Sequence, residues 1–382
     1  MALFRGMRIA IVGGGIGGLT VALALREFGF EAEVYEQAPE LLDVGAAIAV
    51  WPNAMRVLER LRLGDTIRAY AGEMNEIRWL NTRGHLLNQL SISGALALHR
   101  ADLQATLLHA SQPATIHLGH SLVGYNQLHD KVLATFTNGN SIEADFLIGA
   151  DGIHSDVRAQ FLGADQPIYR GYTVWRGIAA FAPASIPPAT AIEIHGRGRR
   201  FGIGPVGAGR VGWWASANST TQHRAADDAQ TELLRLFKDW YPPAVALIEE
   251  TPSHRILTTP AFDREPSRTW GSKRMTLLGD AIHPTTPNLG QGGCLAIEDA
   301  MVLARCFEKY GATEAALRKY EDCRYERTAA ITKYSRFYGR IGQSENPVTL
   351  TCKKILLSLA PESILQRLVR TVFNYDATTV AV

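Results

Sequence analysis

The sequence has little cysteine, little net charge and no long apolar run, and each shortage excludes a class of protein. Its four cysteines show neither metal-ligand spacing nor the density of a disulfide framework. The formal net charge of +2 gives no reason to expect nucleic acid or an acidic membrane as a partner. No stretch approaches the roughly 18 apolar residues of a transmembrane helix, and the apolar run at residues 7–12 is too short for a signal peptide. We therefore expect a cytoplasmic protein with reduced thiols, no metal site and no membrane span.

Length and composition predict an ordinary globular protein. Of the 382 residues, 46% are hydrophobic and 20% are charged, which is typical of a folded chain. A chain of this length can bury a large core, and we expect it to form two lobes.

Residues 8–35 predict a strand, a tight glycine turn, a helix and a second strand. The turn carries Gly13, Gly15 and Gly18, which allow a tight bend, close approach to a pyrophosphate and helix–strand packing. The helix that follows offers its free N–H groups to phosphates. Glu36 ends the second strand, where a carboxylate accepts hydrogen bonds from a ribose. The pattern predicts a dinucleotide site that disfavours NADP, because the carboxylate repels a 2′-phosphate; NAD and FAD both remain open.

A second match to the glycine pattern, at Gly202, Gly204 and Gly207, does not predict a nucleotide site. Pro205 lies inside it, and an aromatic strand follows instead of a helix. A β-hairpin is the better interpretation, so the chain carries one dinucleotide cradle.

Two further motifs place acids at the ends of predicted strands. Asp151 and Gly152 follow one strand and precede a helix, a pattern that simple turn and cap chemistry would explain. Asp280 follows the strand at residues 275–278, at the sheet edge where open α/β sheets hold ligands. The glycine-rich residues 290–293 then precede another helix, and bare backbone at a helix start suits an anionic or dipolar group.

Taken together, the three motifs resemble those of the FAD-dependent aromatic hydroxylases, the single-component class A flavoprotein monooxygenases. The resemblance extends from about Arg8 to Arg340. Local matches at residues 44–53 ("VGAAIAVWPN") and 99–103 ("HRADL") point to the branch that holds salicylate, 6-hydroxynicotinate and urate hydroxylases and zeaxanthin epoxidase. The resemblance implies an α/β fold, with a Rossmann-like FAD-binding domain and a mostly antiparallel β-sheet substrate domain, as in para-hydroxybenzoate hydroxylase.

We expect the two domains to be interleaved along the chain, because extended, turn-rich segments interrupt the α/β pattern. The predicted FAD-binding domain comprises residues 1–75, 98–168 and 272–345. The predicted substrate domain comprises residues 76–97 and 169–271, and residues 346–382 form a C-terminal helical segment.

The resemblance also implies which residues form the site. Those implied to contact FAD are Gly13, Gly15, Gly18, Glu36, Ala49, Arg100, Leu122, Asp151, Asp280, Gly290, Gly292 and Gly293. Those with candidate catalytic roles are Pro287, Arg200 and His283, although a histidine before Pro284 at a strand end is more often structural. The candidate substrate residues are Arg176, Arg200 and Trp213, for which surface arginines and a core tryptophan are the alternative.

The implied reaction uses NADH or NADPH to reduce FAD, and O2 to form a flavin C4a-hydroperoxide that hydroxylates a small aromatic or heteroaromatic substrate. Alternatives are an epoxidase acting on a larger hydrophobic substrate, a flavin-dependent oxidase or dehydrogenase, and a non-enzymatic nucleotide-binding regulator. We expect a monomer or a homodimer. 6-Hydroxynicotinate is disfavoured as the substrate, because its hydroxylases carry a histidine where this chain has Ala49. Urate is disfavoured because its hydroxylases carry a tyrosine where this chain has Gly212.

The C-terminal segment has apolar residues on one predicted helical face. They are Ile364, Leu365, Leu368, Val369, Val372 and Phe373. Cations near them are few, so we expect this helix to dock on its own protein, with self-association as the next alternative and membrane binding unlikely.

Overall fold

A computed structural model describes residues 7–40, 46–111, 116–220 and 228–382 of the chain. The helices are α1 (Ile16–Glu27), α2 (Pro52–Arg60), α3 (Gly64–Tyr70), α4 (Arg100–Ser111), α5 (Asp156–Leu162), α6 (Ala229–Phe237), α7 (Pro242–Glu250), α8 (Gly292–Tyr310), α9 (Glu314–Gly342), α10 (Pro347–Leu359) and α11 (Glu362–Phe373). The strands are β1 (Ile9–Val12), β2 (Ala32–Tyr35), β3 (Ala47–Val50), β4 (Gly72–Asn81), β5 (Leu86–His99), β6 (Ile116–His117), β7 (Leu122–Gln127), β8 (Val132–Phe136), β9 (Ser141–Ala144), β10 (Phe146–Gly149), β11 (Ile168–Ala179), β12 (Thr190–His195), β13 (Arg199–Pro205), β14 (Val211–Asn218), β15 (Leu257–Asp263), β16 (Gly271–Ser272) and β17 (Met275–Leu277).

The first sheet is mostly parallel and has the strand order β16-β17-β10-β1-β2-β6. All four residues of β1 are buried, as expected of a strand covered on both faces. α1 and α8 contribute to the same hydrophobic core. The carboxyl ends of β1, β2, β10 and β17 meet at one edge, because these strands run parallel. That edge brings the three sequence motifs together.

The second sheet has eight strands in the order β15-β11-β14-β13-β12-β4-β5-β3, and most of its pairings are antiparallel. β13 and β14 pair as a hairpin, with Ile203 opposite Trp213, which confirms that the second glycine pattern is not a nucleotide turn. α6 and α7 cover one face of this sheet with residues such as Leu233 and Leu247. The β7–β8–β9 strands form a separate three-stranded sheet.

Sheet membership differs slightly from the predicted domain boundaries. β3, expected in the FAD-binding domain, pairs with β5 in the second sheet. β4 begins at Gly72 and β5 ends at His99, so the segment of the second sheet that they form extends beyond the predicted residues 76–97 at both ends. A short strand such as β3 shows no signal of its partner, because pairing is decided by contacts far along the chain.

The C-terminal helix docks on the body of the protein through part of its predicted apolar face. Leu365, Val372 and Phe373 are buried, and the last two belong to a cluster with core residues of α8 and α9. Ile364 and Leu368 remain exposed, at 53% and 59%. The predicted docking of this helix on its own protein is therefore confirmed for the buried half of its apolar face. No helix within the described residues has both the length and the apolar character needed to cross a membrane.

Candidate active site

The glycine turn after β1 is shaped for close backbone contact. Gly13 has φ +108°, and a Cβ atom there would lie 2.4 Å from the carbonyl oxygen of Ala150. A Cβ at Gly18 would lie 1.8 Å from the carbonyl oxygen of Gly13, so any side chain would force α1 away from the turn. A Cβ at Gly15 would meet no atom within 4 Å, which shows that this point of the turn faces open space. No side chain caps the start of α1 in the described structure, so its first N–H groups are free for a ligand.

Glu36 is held beside this turn by two backbone donors. The amide of Gly14 donates to Oε2 at 2.6 Å, and the amide of Ala38 donates to Oε1 at 2.9 Å. The side chain of Gln104 donates to the carbonyl of Gly14 at 3.1 Å, a contact that no sequence signal indicated. Leu122 lies with its side chain in the main core, so only its backbone could meet a cofactor. These two bonds fix the carboxylate beside the glycine turn, in position to accept hydrogen bonds from ribose hydroxyls.

Asp151 and Asp280 occupy the ends of neighbouring strands but differ in environment. Asp151 accepts the amide of Val157 at the start of α5, and burial raises the pKa of its carboxyl. Asp280 is exposed at the sheet edge and has no hydrogen-bond donor among the described residues. Although the carboxylate is accessible, the walls of the cleft limit its hydration and raise its pKa, and the charges of His283 and Arg100 act in the opposite direction. Of these two acids, Asp280 is the one available to a ligand.

The start of α8 closes the other side of the same cleft. Gln291 precedes the helix, and no side chain of the described residues caps it. β3 packs against the glycine-rich turn, since a Cβ at Gly290 would lie 3.1 Å from Nε1 of Trp51 and 3.7 Å from Cβ of Ala49. A Cβ at Gly292 would lie 3.7 Å from Oδ1 of Asp280. Free helix N–H groups and a free carboxylate therefore lie side by side.

His283 does not reach this cleft, which corrects its candidate catalytic role. Its side chain is buried and Nε2 lies 2.6 Å from Oδ2 of Asp299. Asp299 also accepts the amide of Gly279 at 3.0 Å and pairs with the fully buried Arg324 at 2.6 Å. Burial alone would raise the pKa of Asp299, but the charges of His283 and Arg324 hold it below its ordinary value. The cluster fastens the turn after β17 to α8 and α9, and this contact favours the structural alternative for His283.

Trp213 is also misplaced by the sequence prediction, because it lies on the wrong face of the second sheet. Its ring is 2% exposed, stacks on Phe201 at 5.6 Å, and donates from Nε1 to Oγ1 of Thr251 at 2.9 Å. Alternate residues of β14 point to opposite faces, so it is the neighbouring Trp214 that shares a face with Arg200.

Replacing Trp213 with Phe should therefore lower stability without changing substrate affinity. The lost hydrogen bond leaves Thr251 less well satisfied and the smaller ring leaves a gap, together costing about 1–2 kcal/mol. Thermal unfolding of the variant, compared with KM for a substrate once one is known, checks this. A raised substrate KM with an unchanged melting temperature would instead support Trp213 as a substrate-contacting residue.

Arg200 lies on the cleft side of the second sheet but is enclosed by protein. It is 1% exposed, pairs with Oε1 of Glu193 at 3.1 Å and donates to Gln343 at 3.2 Å. It also donates to the side-chain oxygen of Asn288. Tyr338 donates to the other oxygen of Glu193 at 2.7 Å. A ligand cannot reach this guanidinium without moving a neighbour, so the predicted direct contact with substrate is corrected to an indirect role.

That indirect role runs through Asn288 to the turn that carries Pro287. The Asn288 amide donates to Tyr172 Oη and to the carbonyl of Ser335, both at 2.9 Å. Pro287 itself is exposed at the start of a short 3₁₀ turn. Sequence reasoning missed Asn288, Glu193 and Tyr172. Asn288 and Tyr172 are 116 residues apart in the chain, whereas Glu193 is only seven residues from Arg200, on the neighbouring strand β12, with no local pattern that marks the pair. Through Asn288, Arg200 is thus linked to the turn that carries Pro287.

Arg176 and Arg100 supply the accessible positive charge of the cleft. Arg176 shares the cleft face of the second sheet and donates to Oγ1 of Thr259 at 2.8 Å. Burial and the nearby charge of Arg100 lower its pKa to about 10, so it stays charged at neutral pH. Arg100 is exposed and makes no ion pair with any residue that the structure describes.

The model of the FAD binding domain family matches residues 7–335 of this chain. The chain belongs to this family. The match confirms FAD as the cofactor, and with the two sheets it confirms the predicted α/β fold.

Similar proteins of this FAD-binding family align over nearly the whole chain. The aurachin C monooxygenase/isomerase of Stigmatella aurantiaca is 39% identical over 362 residues, covering 93% of this chain and 94% of that protein. The FAD-dependent urate hydroxylase of Klebsiella pneumoniae is 34% identical, covering 86% and 89%. The crystal structure of Klebsiella pneumoniae HpxO complexed with FAD and uric acid has a TM-score of 0.91 at 31% identity and covers 97% of both chains. The resemblance to the flavoprotein hydroxylases is thereby confirmed.

The polar groups that line the cleft are chemically suited to FAD. Among the described residues, the accessible polar groups of the cleft that have no protein partner include the helix starts of α1 and α8, Asp280 and Arg100. Two helix starts and an arginine suit the phosphates and the electron-rich edge of a flavin, and a carboxylate suits sugar-like hydroxyls. No group of three or more potential metal ligands occurs in the described ranges.

Proposed function

We propose that this protein is a single-component FAD-dependent monooxygenase that hydroxylates a small aromatic or heteroaromatic substrate. The balanced reaction consumes substrate, O2, NAD(P)H and a proton, and gives hydroxylated product, water and NAD(P)+. One observation carries the proposal: the glycine turn after β1, the carboxylate of Asp280 and the uncapped start of α8 meet at one edge of the first sheet, beside a turn that contacts the second sheet through Asn288. The similarity to flavin monooxygenases over nearly the full chain supports it. Bound FAD supplies the redox chemistry, taking two electrons from NAD(P)H and using them to activate O2.

We assign the FAD contacts by the chemistry of each group. Glu36 would accept the adenosine ribose hydroxyls, and the α1 start with Gly13, Gly15 and Gly18 would hold the diphosphate. Asp280 accepts hydroxyls of the ribityl chain. The remaining residues of the proposed contact set are Ala49, Arg100, Leu122, Asp151, Gly290, Gly292 and Gly293.

The start of α8 has a second role, which is to stabilise negative charge. A reduced flavin is electron-rich at its pyrimidine edge, and free N–H groups at the positive end of a helix lower the energy of that state. The buried Asp299–Arg324 pair fixes this helix start against the turn after β17. The donors are thus held in place before the charge develops.

We propose that the substrate carries a weakly acidic ring hydroxyl which meets Arg176. Arg200 offers no uncompensated charge, because Glu193 neutralises it at 3.1 Å. Arg176 has no acidic partner within the described chain and remains cationic. A cation beside a ring hydroxyl favours its ionised form, which raises electron density on the ring carbons that accept oxygen.

The structure adds a reason against urate as the substrate. A Cβ at Gly212 would lie 2.6 Å from Cβ of Ala47 and 2.8 Å from Cγ1 of Val206. The position that matches a tyrosine in the urate hydroxylases is therefore filled by β3, and a large side chain has no room there. We propose a different aromatic substrate, bound by a monomer or homodimer.

Asp280→Ala should weaken FAD binding by about 1.5–3 kcal/mol, roughly a tenfold to hundredfold rise in Kd. Because the fold raises the pKa of this carboxyl, its ionised form destabilises the apoprotein. The apo variant should therefore unfold at the same or a higher temperature, while it binds FAD less tightly. Fluorescence titration of apoprotein with FAD and thermal unfolding without FAD measure the two effects. Unchanged FAD affinity would remove Asp280 from the site.

The function itself is tested on the purified protein. We expect a yellow protein with a flavin spectrum, whose slow NAD(P)H oxidation accelerates in the presence of some members of a panel of phenols and N-heteroaromatics. A colourless protein that binds no added FAD would contradict the proposal.

A further inference from the structure

A groove of about 900 Å3 lies outside the FAD cleft, between the second sheet and α9. The start of β11, the end of β14 and the C-terminal half of α9 line it. Its inner wall includes Tyr172 and Thr286. Thr286 directly precedes Pro287, and Tyr172 Oη accepts the amide of Asn288 at 2.9 Å. The groove and the candidate active site therefore share one wall, the turn at residues 286–289.

The groove carries an excess of positive charge. Four cations line it, and two of them, Arg170 and Arg336, are paired with the buried Asp263. The other two, Lys333 and Arg340, are exposed and form no ion pair with a residue that the structure describes. One acid, Glu345, also lines the groove, and it accepts the side-chain amide of Asn218 at 2.8 Å. An anionic ligand would thus find two uncompensated cations against a single carboxylate.

An exposed aromatic ring lies between these two cations. Phe337 lines the groove and is 54% exposed. Lys333, Phe337 and Arg340 are spaced four and three residues apart on α9, so they occupy one helical face. A nucleobase stacks on such a ring, and phosphates pair with the flanking cations.

From these contacts we propose that the groove binds the nicotinamide dinucleotide reductant, with its diphosphate at Lys333 and Arg340 and a ring stacked on Phe337. This inference rests on the proposed function, which needs NAD(P)H. FAD occupies the one dinucleotide cradle that the sequence offers, so the reductant requires another surface. The volume is at the upper end of the range for small-molecule sites, which suits an elongated ligand better than a single aromatic ring.

The test compares two double variants that each remove two exposed cations. Lys333→Ala with Arg340→Ala should raise KM for NADH or NADPH at least tenfold, with FAD content, kcat at saturation and substrate KM unchanged. The matched control, Lys354→Ala with Arg367→Ala, removes exposed cations of α10 and α11 outside the groove and should leave KM unchanged. The wild-type KM should also rise with salt, and more steeply than that of the groove variant.

A binding measurement separates failure of this inference from failure of the proposed function. Calorimetric titration with ADP-ribose, which has the diphosphate and adenine but no redox ring, needs no turnover. Binding that Phe337→Ala or the groove double variant weakens at least fivefold supports the site. Equal affinity of wild type and variants for ADP-ribose, or a rise in substrate KM alone, overturns it. A wild type that binds FAD but oxidises no NAD(P)H would refute the proposed function. The ADP-ribose titration would still show whether the groove binds a nucleotide diphosphate.

Discussion

A chain that ends after Pro361 is expected to lose its cooperative fold, and with it bound FAD. The removed residues include Leu365, Phe373 and Ala377, which are buried, and Phe373 stacks on Trp51 of the candidate flavin cleft at 3.9 Å. Losing a buried large side chain costs about 2–5 kcal/mol. Losing Leu365, Val372 and Phe373 together is therefore comparable to a typical stability of roughly 5–15 kcal/mol. Circular dichroism melting and flavin absorbance of the truncated protein measure the result.

The truncation also removes backbone acceptors that hold two half-buried arginines. Arg327 donates to the carbonyls of Thr371 and Val372 at 3.0 and 2.6 Å, and Arg305 donates to those of Ala377 and Val380 at 3.0 and 2.7 Å. The matched control is Ile364→Ser with Leu368→Ser, which changes only the exposed half of α11 and should leave the melting temperature nearly unchanged. A truncated protein that melts cooperatively within a few degrees of the full chain would contradict this account of the C-terminus.

Arg200→Gln should both destabilise the protein and uncouple NAD(P)H consumption from hydroxylation. Removing one partner of a largely buried ion pair leaves Glu193 uncompensated, which costs about 3–5 kcal/mol. Asn288 loses its donor at the same time, so the Pro287 turn is held less firmly. Thermal unfolding and the ratio of product formed to NAD(P)H consumed report the two effects separately.

A second variant separates charge from positioning. Glu193→Gln combined with Arg200→Gln removes the unpaired carboxylate, so it should recover most of the lost stability. The product ratio should stay low, because the contact to Asn288 is still absent. A double variant whose product ratio returns to the wild-type value would show that Arg200 acts through stability alone.

Local sequence patterns predicted the FAD cradle well because its parts are adjacent in the chain. The strand, turn, helix and second strand that residues 8–35 predict are β1, the glycine turn, α1 and β2. Ser155 caps α5 by accepting the amide of Arg158 at 2.9 Å. Asp280 lies at the predicted sheet edge, since parallel strands bring their carboxyl ends together. Each of these inferences needed only the order of a strand, a turn and a helix.

The substrate side was predicted poorly because it depends on contacts across domains. Nothing in the sequence around Trp213 and Trp214 states which ring faces α6 and α7, because either alternation of β14 is locally acceptable. Asn288 meets Arg200 from a turn 88 residues along the chain, and Glu193, although only seven residues away on β12, shows no local sign of this pairing. Burial of His283 likewise follows from Asp299 on α8 and Arg324 on α9. Family resemblance identified some of these positions but not their surroundings.

Isotope labelling of the product tests the central claim most directly. The FAD-containing protein would be incubated with NAD(P)H and a phenol or N-heteroaromatic that accelerates NAD(P)H oxidation, under 18O2 in ordinary water and then under ordinary O2 in H2 18O. A monooxygenase predicts a product with one 18O atom in the first experiment and none in the second. A product that takes its oxygen from water, or that loses hydrogen and gains no oxygen, would contradict the account and place the protein among flavin-dependent oxidases or dehydrogenases.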